Sequence, residues 1–279
     1  MAHHPVSTAA HWLRVVGARP EAPARLFLFP HGGGAAAAYG HWSTLLPADV
    51  ELLLVQLPGR HDRRTEQPFT RVEPLVEALR EALEAEWDGR PFAFFGHSMG
   101  AMLAYRLTVA LQRDGIAGPA LLGVSSWAPA GYLDGARELS DLPDAELAAK
   151  IADLGALPPE ISASPDMLQM VLPTLRADLG VYGDYVDDGA VVSCAVVAYG
   201  GKSDPLLVPG AMELWATRSS AFLGFSEFPG NHFYLEEHAV AVAGDLARHL
   251  HRQQVMTERA QRLNRTENVH HIVRPSPKS

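Results

Sequence analysis

An apolar run, Phe92-Ala93-Phe94-Phe95, stops at Gly96, and a helix-forming run, Ala101-Met102-Leu103-Ala104-Tyr105-Arg106-Leu107, follows almost at once. The connection is Gly96-His97-Ser98-Met99-Gly100, a serine with glycine two positions before it and two after. A strand that must turn so sharply into a helix constrains the fold more than any other feature of this chain. Glycine at both flanks lets the turn pass close to its neighbours, where a side chain would collide. The serine between them is held in a strained backbone conformation with its hydroxyl lifted above the sheet. Ser98 is therefore the candidate nucleophile. A structural turn serine is the bland alternative, and the context weighs against it, because the motif asks for a strand before and a helix after.

The alternation recurs along the chain. Arg25-Leu26-Phe27-Leu28-Phe29-Pro30 reads as a buried strand, Glu51 to Leu57 as the next, then Leu121 to Trp127, Val191 to Tyr199 and Phe222 to Phe228. Val72, Leu75, Val76, Leu79, Leu83 and Trp87 carry helical spacing between them. Strands alternating with helices imply a mostly parallel sheet covered on both faces. Residues 1–24 form a weakly patterned N-terminal extension with a short edge strand near Trp12 to Val16. From about Ala130 to Asp188 no strand-like run occurs. Leu139, Leu142, Leu147, Ile151 and Leu154 fit a pair of helices, and Ser164-Pro165 fits an N-cap followed by proline at the first helical position. This insertion reads as a helical lid at about 130–188. Met167, Met170 and Val171 on its last helix are the candidate substrate contacts, because a methionine-rich wall adapts to variable apolar groups. The fold class is an α/β-hydrolase fold, with the domain spanning 25–252.

In that fold the chain order nucleophile, acid, histidine calls for an acid past a late strand and a histidine past the next. Gly200-Gly201-Lys202-Ser203-Asp204 supplies the acid, and Gly230-Asn231-His232-Phe233 supplies the histidine. Of the 13 histidines, His232 meets all of these conditions. His97, a neighbour in the tight turn, is expected to pack beneath the elbow. Serine hydroxyls are weak nucleophiles at neutral pH, so His232 would take the Ser98 proton and Asp204 would orient the imidazole. The glycine run His31-Gly32-Gly33-Gly34 after the first central strand can present bare backbone N–H groups. Gly32 or Gly33, together with Met99, would stabilise the oxyanion of a tetrahedral intermediate. Water or another nucleophile resolves the acyl-serine, and the triad serves oxygen esters as well as thioesters.

Composition narrows the setting. The net charge of -9 argues against general nucleic-acid binding, which needs positive charge facing phosphates. No apolar run approaches the roughly 20 residues of a membrane span, and the start Met1-Ala2-His3-His4-Pro5 lacks a signal-peptide pattern. A single cysteine, Cys194, allows no internal disulfide. A cytoplasmic enzyme is expected. Neither a zinc-ligand spacing nor a dinucleotide or phosphate-loop pattern is found, so no metal or cofactor is expected. Arg60, Arg63 and Arg64 belong to a dense basic cluster that reads as solvated surface, with contact to an acidic partner as the minority alternative. Residues 253–279, basic and poor in large apolar groups, read as a disordered tail.

Phe29-Pro30-His31-Gly32-Gly33-Gly34, Gln56-Leu57-Pro58-Gly59-Arg60, Gly96-His97-Ser98-Met99-Gly100, Gly200-Gly201-Lys202-Ser203-Asp204 and Gly230-Asn231-His232-Phe233 together resemble the type II thioesterases. Leu142-Pro143-Asp144 and Leu172 to Asp178 resemble that family's lid segments. The likeness covers roughly Arg25 to His249, and its nucleophile, acid and base fall on Ser98, Asp204 and His232. Gly32 stands where the family often has alanine, which leaves a backbone donor unaffected. The resemblance implies hydrolysis of acyl groups, often short or aberrant, from the phosphopantetheine arm of acyl or peptidyl carrier proteins of polyketide and nonribosomal peptide synthases. The arm belongs to the carrier, so the resemblance implies no cofactor of the enzyme's own. A monomer is expected. A carboxylesterase of small apolar esters and an acyltransferase are the competing readings.

Overall fold

The strand ahead of Ser98 runs Phe92–His97 (β4), every residue of it buried. Its companions are Leu13–Val15 (β1), Ala24–Phe29 (β2), Val50–Val55 (β3), Leu121–Ser125 (β5), Val192–Gly201 (β6) and Ser219–Phe228 (β7). Helices are Trp42–Leu45 (α1), Val72–Ala85 (α2), Met99–Arg113 (α3), Ala136–Ser140 (α4), Asp144–Asp153 (α5), Pro159–Ser162 (α6), Pro165–Asp184 (α7) and Leu235–Ile272 (α8). The computed structural model describes residues 11–130, 136–154, 157 and 159–272. Residues 1–10 of the expected N-terminal extension, 131–135, 155–156 and 158 of the expected lid, and 273–279 of the expected tail lie outside the described residues.

The strands form one seven-stranded sheet in the order β1-β3-β2-β4-β5-β6-β7. Edge strand β1 pairs antiparallel with β3, and the remaining pairings are parallel. Strands covered on both faces show no polar alternation, yet their side chains still divide by parity. Phe27, Phe29, Phe94 and Leu122 enter one core with α2 and α3, and Leu26, Leu28, Phe95 and Leu121 enter the other with α8. Phe27 meets Phe94 edge to face at 5.9 Å, while Trp42 stacks on Phe95 at 5.0 Å. Each such ring contributes on the order of 1.5–3 kcal/mol by burial. The elbow thus sits at the end of the central strand of the sheet, with an apolar core on either face.

Helices α4 to α7 lie between β5 and β6 and share a small apolar core of Leu147, Ile151, Leu172, Leu175 and Leu179. Ser164 caps α7, its Oγ accepting from the Met167 N–H at 3.4 Å, with Pro165 in the first turn. From its middle to its C-terminus α7 is fastened to the body by polar side chains. Thr174 Oγ1 donates to the Gly59 carbonyl at 2.7 Å. Asp184 Oδ2 accepts from the Val72 N–H at 3.0 Å, supplying α2 with the cap that Arg71 does not provide.

Two expectations are corrected. Residues from 253 onward continue α8 as far as Ile272. The segment Gln253 to Ile272 contains neither glycine nor proline and is rich in Gln, Arg and Glu, so helix propensity carries it beyond the body even where Val255 and Met256 remain exposed. The basic cluster is mostly interior. Arg60 and Arg63 are buried and Arg64 alone of the three is exposed. Arg63 donates to the Gln56 carbonyl at 2.8 Å and lies 4.4 Å over the Trp12 ring, a cation–π contact. Neither buried arginine is placed to meet a partner at the surface. No described helix is long and apolar enough to cross a membrane.

Candidate active site

Ser98 joins β4 to α3 with φ 55° and ψ -122°, a conformation that an L-residue adopts only where its surroundings enforce it. The enforcement is visible. Ser98 N–H donates to the Ser125 carbonyl at 2.8 Å, tying the turn to β5. A Cβ on Gly96 would overlap the Gly100 backbone, and one on Gly100 would overlap the Phe29 carbonyl. Both flanking glycines are required by close approach, as their spacing implied. Met99 opens α3, where N–H groups have no intrahelical acceptor.

Asp204 follows β6 and His232 follows β7, on adjacent strands of the sheet. Their side chains meet with His232 Nδ1 and Asp204 Oδ2 2.9 Å apart, and both are buried. A carboxylate only accepts, so Nδ1–H is the donor and Nε2 is left as the basic nitrogen. Asp204 Oδ1 accepts from the Leu206 N–H at 3.0 Å. Ser98, His232 and Gly32 border one cavity, which Leu175, Leu179 and Tyr182 of α7 also line. The residues chosen from the sequence as nucleophile, base and acid are therefore brought together.

Two further histidines surround this group. His97 Nδ1 lies 2.9 Å from Ser125 Oγ, which lies 2.7 Å from the Tyr234 hydroxyl, and the His97 and His232 rings are 5.0 Å apart. This is the packing role beneath the elbow expected of His97. His31 Nδ1 is 2.7 Å from the Tyr39 hydroxyl. Burial, then the proximity of His232 and Arg60, lowers the His31 pKa from 6.5 to about 3. Burial also holds His97 well below its ordinary value. On unfolding, His31 takes up a proton near pH 6.5 that the folded protein refuses until about pH 3. The unfolded state binds more protons across that window, so stability falls as pH drops through it. Thermal melts from pH 7 to 4.5 should show His31→Gln losing melting temperature less steeply than the parent. Parallel curves would show that His31 does not titrate with unfolding.

The oxyanion loop and the lid wall differ from expectation. Gly34 N–H donates to the His31 carbonyl at 3.0 Å, with Gly33 at φ 75°, the arrangement of a type II turn that favours glycine at its third position. The Gly33 N–H is taken by Asp178 Oδ2 of α7 at 2.6 Å, so of the two expected loop donors Gly32 alone faces the cavity. Met167 and Met170 are exposed and do not border the cavity. Val171 turns into the lid core, where its Cγ1 would lie 3.3 Å from a Cβ on Gly33. The wall is built further along α7, from Leu175, Leu179 and Tyr182, which continue the Val171 face at intervals of four, four and three residues. Tyr182, whose hydroxyl is 3.0 Å from Ser98 Oγ, and Asp178 had not been singled out for the site, although both fall on that face.

A doubly covered, mostly parallel sheet with a buried serine elbow and an Asp–His pair beneath a helical lid defines the α/β-hydrolase fold class. A family model described as "Thioesterase domain" matches residues 24–253. Gramicidin S biosynthesis protein GrsT of Aneurinibacillus migulanus is 30% identical over 233 residues, covering 83% of this chain and 91% of that protein. Thioesterase PikA5 of Streptomyces venezuelae is 33% identical over 241 residues, covering 86% and 85%. The solved type II thioesterase BorB from the borrelidin biosynthetic cluster superposes with a TM-score of 0.76 at 33% identity, covering 86% of this chain and 97% of that one. The chain belongs to the thioesterase domain family, and is a hydrolase acting on thioesters, of the type II class.

Proposed function

We propose that Ser98, His232 and Asp204 are the catalytic triad of a stand-alone editing thioesterase. It releases acyl groups from the phosphopantetheine arm of acyl or peptidyl carrier proteins serving a polyketide or nonribosomal peptide synthase. The observation that carries the triad is the 2.9 Å pairing of His232 with Asp204 beside the cavity that Ser98 borders. His232 Nε2 takes the Ser98 proton as Oγ attacks the thioester carbonyl. Met99 and Gly32 N–H groups receive the oxyanion, and collapse expels the pantetheine thiol. Water then attacks the acyl-serine, His232 again moving the proton, and the free acid leaves.

The cavity supports short acyl groups. Its volume of about 40 Å³ is a few times the roughly 10–15 Å³ that holds one water on the same measure. The biosynthetic settings of GrsT and BorB support the carrier substrate. The reading includes a cytoplasmic monomer that needs no cofactor of its own, since the pantetheine arm arrives on the carrier. Matched short-acyl esters of N-acetylcysteamine and of the corresponding oxygen alcohol test the leaving-group class. The thioester should be turned over with the higher kcat/KM, and equal or faster turnover of the oxygen ester would instead indicate a carboxylesterase.

A further inference from the structure

We infer that Asp178, held by Arg60, is a positioning residue that sets the oxyanion loop, so that the lid helix and the loop's oxyanion donor are placed as one unit. The inference rests on the triad reading above. Arg60 follows β3 and Asp178 sits in α7, 118 residues apart in the chain, and both are buried, with 6% and 2% exposure. Arg60 Nη2 donates to Asp178 Oδ1 at 2.7 Å and Nη1 to Oδ2 at 2.9 Å. A buried ion pair is favourable only when its remaining hydrogen-bonding capacity is filled. Here the glycine loop fills it. Gly33 N–H donates to Asp178 Oδ2 at 2.6 Å, and Arg60 Nη1 donates to the Gly34 carbonyl at 3.1 Å.

The dependence runs the other way as well. Gly32-Gly33-Gly34 has no side chains with which to hold itself, and glycine loses more backbone freedom on ordering than any other residue. The carboxylate and the guanidinium grip the loop by one N–H and one carbonyl. The Gly33 amide is thereby directed at α7, leaving the preceding Gly32 at the cavity beside Ser98. One helical turn beyond Asp178, the Tyr182 hydroxyl stands 3.0 Å from Ser98 Oγ. The same face of α7 therefore touches both the oxyanion loop and the nucleophile. This accounts for an arginine that is buried where the sequence pattern had placed it at the surface.

The test uses two double variants of the full chain. Arg60→Met with Asp178→Leu replaces the pair by apolar groups, an exchange buried pairs often tolerate, and leaves Gly33 without its acceptor. Arg60→Gln with Asp178→Asn removes both charges but keeps a carbonyl for Gly33 N–H and a donor for Gly34. On a short-acyl N-acetylcysteamine thioester, the apolar pair should lower kcat by about 100-fold, the order of losing one oxyanion donor, with KM within about 3-fold. Binding of an aryl boronic acid, whose adduct with Ser98 Oγ is tetrahedral at boron and places an oxygen in the hole, should weaken by a similar factor. The amide pair should recover kcat to within about 10-fold of the parent. Should the apolar pair not fold, Asp178→Glu, which keeps the charge but shifts the carboxylate by one methylene, carries the same expected kcat and boronate losses. A folded apolar pair, or folded Asp178→Glu, with kcat and boronate affinity unchanged overturns the inference, as does a change confined to KM. A parent enzyme inert on the thioester overturns the triad reading instead.

Discussion

Asp204→Asn should lower kcat by about 10⁴-fold, the order seen when a triad carboxylate becomes an amide, while the protein still folds. Asp204 is asked for two acceptors at once. Its Oδ1 takes the Leu206 N–H at 3.0 Å and its Oδ2 takes His232 Nδ1–H at 2.9 Å. Asparagine has one carbonyl oxygen and one NH₂ group. The Leu206 amide cannot change its proton, so it claims the oxygen and the NH₂ turns to His232. The imidazole answers by accepting at Nδ1, which moves its own proton to Nε2 and removes the lone pair that should receive the Ser98 proton. The group volume is unchanged, so the melting temperature should stay within about 3 °C, roughly 1 kcal/mol in a chain of this size. Steady-state turnover of a short-acyl thioester and a thermal melt check both halves. A loss below tenfold would mean that Asp204 does not orient the base.

Gly100→Ala should destabilise the fold severely. Its Cβ would overlap the Phe29 carbonyl and lie 2.7 Å from the Pro30 oxygen, both of them backbone atoms that no rotamer change can move aside. Relief requires α3 to shift away from β2, and with it Ser98 and Met99. The cost should exceed about 4 kcal/mol, the range reached when a core is overpacked against backbone. The variant is expected either to accumulate as insoluble protein or to melt at least about 10 °C lower. Gly118→Ala is the control. A Cβ at Gly118 meets nothing within 4 Å, so its effect should stay within about 0.5 kcal/mol. A soluble, active Gly100→Ala enzyme would mean that α3 is not locked against β2.

The elements legible in the sequence are those whose signals are local. Phe92 to Leu107 declares a strand, a turn and a helix within one short stretch. Asp204 and His232 are identifiable because each lies just past a strand, the first marked by the apolar run Val191 to Tyr199 and the second by Phe222, Phe225 and Phe228. Arg60 could not be read this way, because its burial depends on Asp178, a residue 118 positions away in an inserted helix. Gly33 failed as an expected donor for the same reason, since its amide is claimed by that same carboxylate. The adaptability of methionine points to Met167 and Met170. Register outweighs composition here, because Leu168, Leu172, Leu175, Leu179 and Tyr182 recur at alternating intervals of four and three and mark the inward face of α7. The tail shows a third kind of difficulty. Scarcity of apolar residues argues against a packed segment, but it does not oppose a helix that simply extends one already anchored by Leu246 and Leu250.

The central claim is that Ser98 releases acyl groups from a carrier-bound thioester. Its most direct measurement is intact-protein mass spectrometry of a short-acyl carrier protein incubated with the parent enzyme and with Ser98→Ala. Conversion of acyl-carrier to free-thiol carrier by the parent, and none above background with Ser98→Ala, is the predicted result. Equal conversion by both proteins, or none by a parent that still cleaves small oxygen esters, would contradict it.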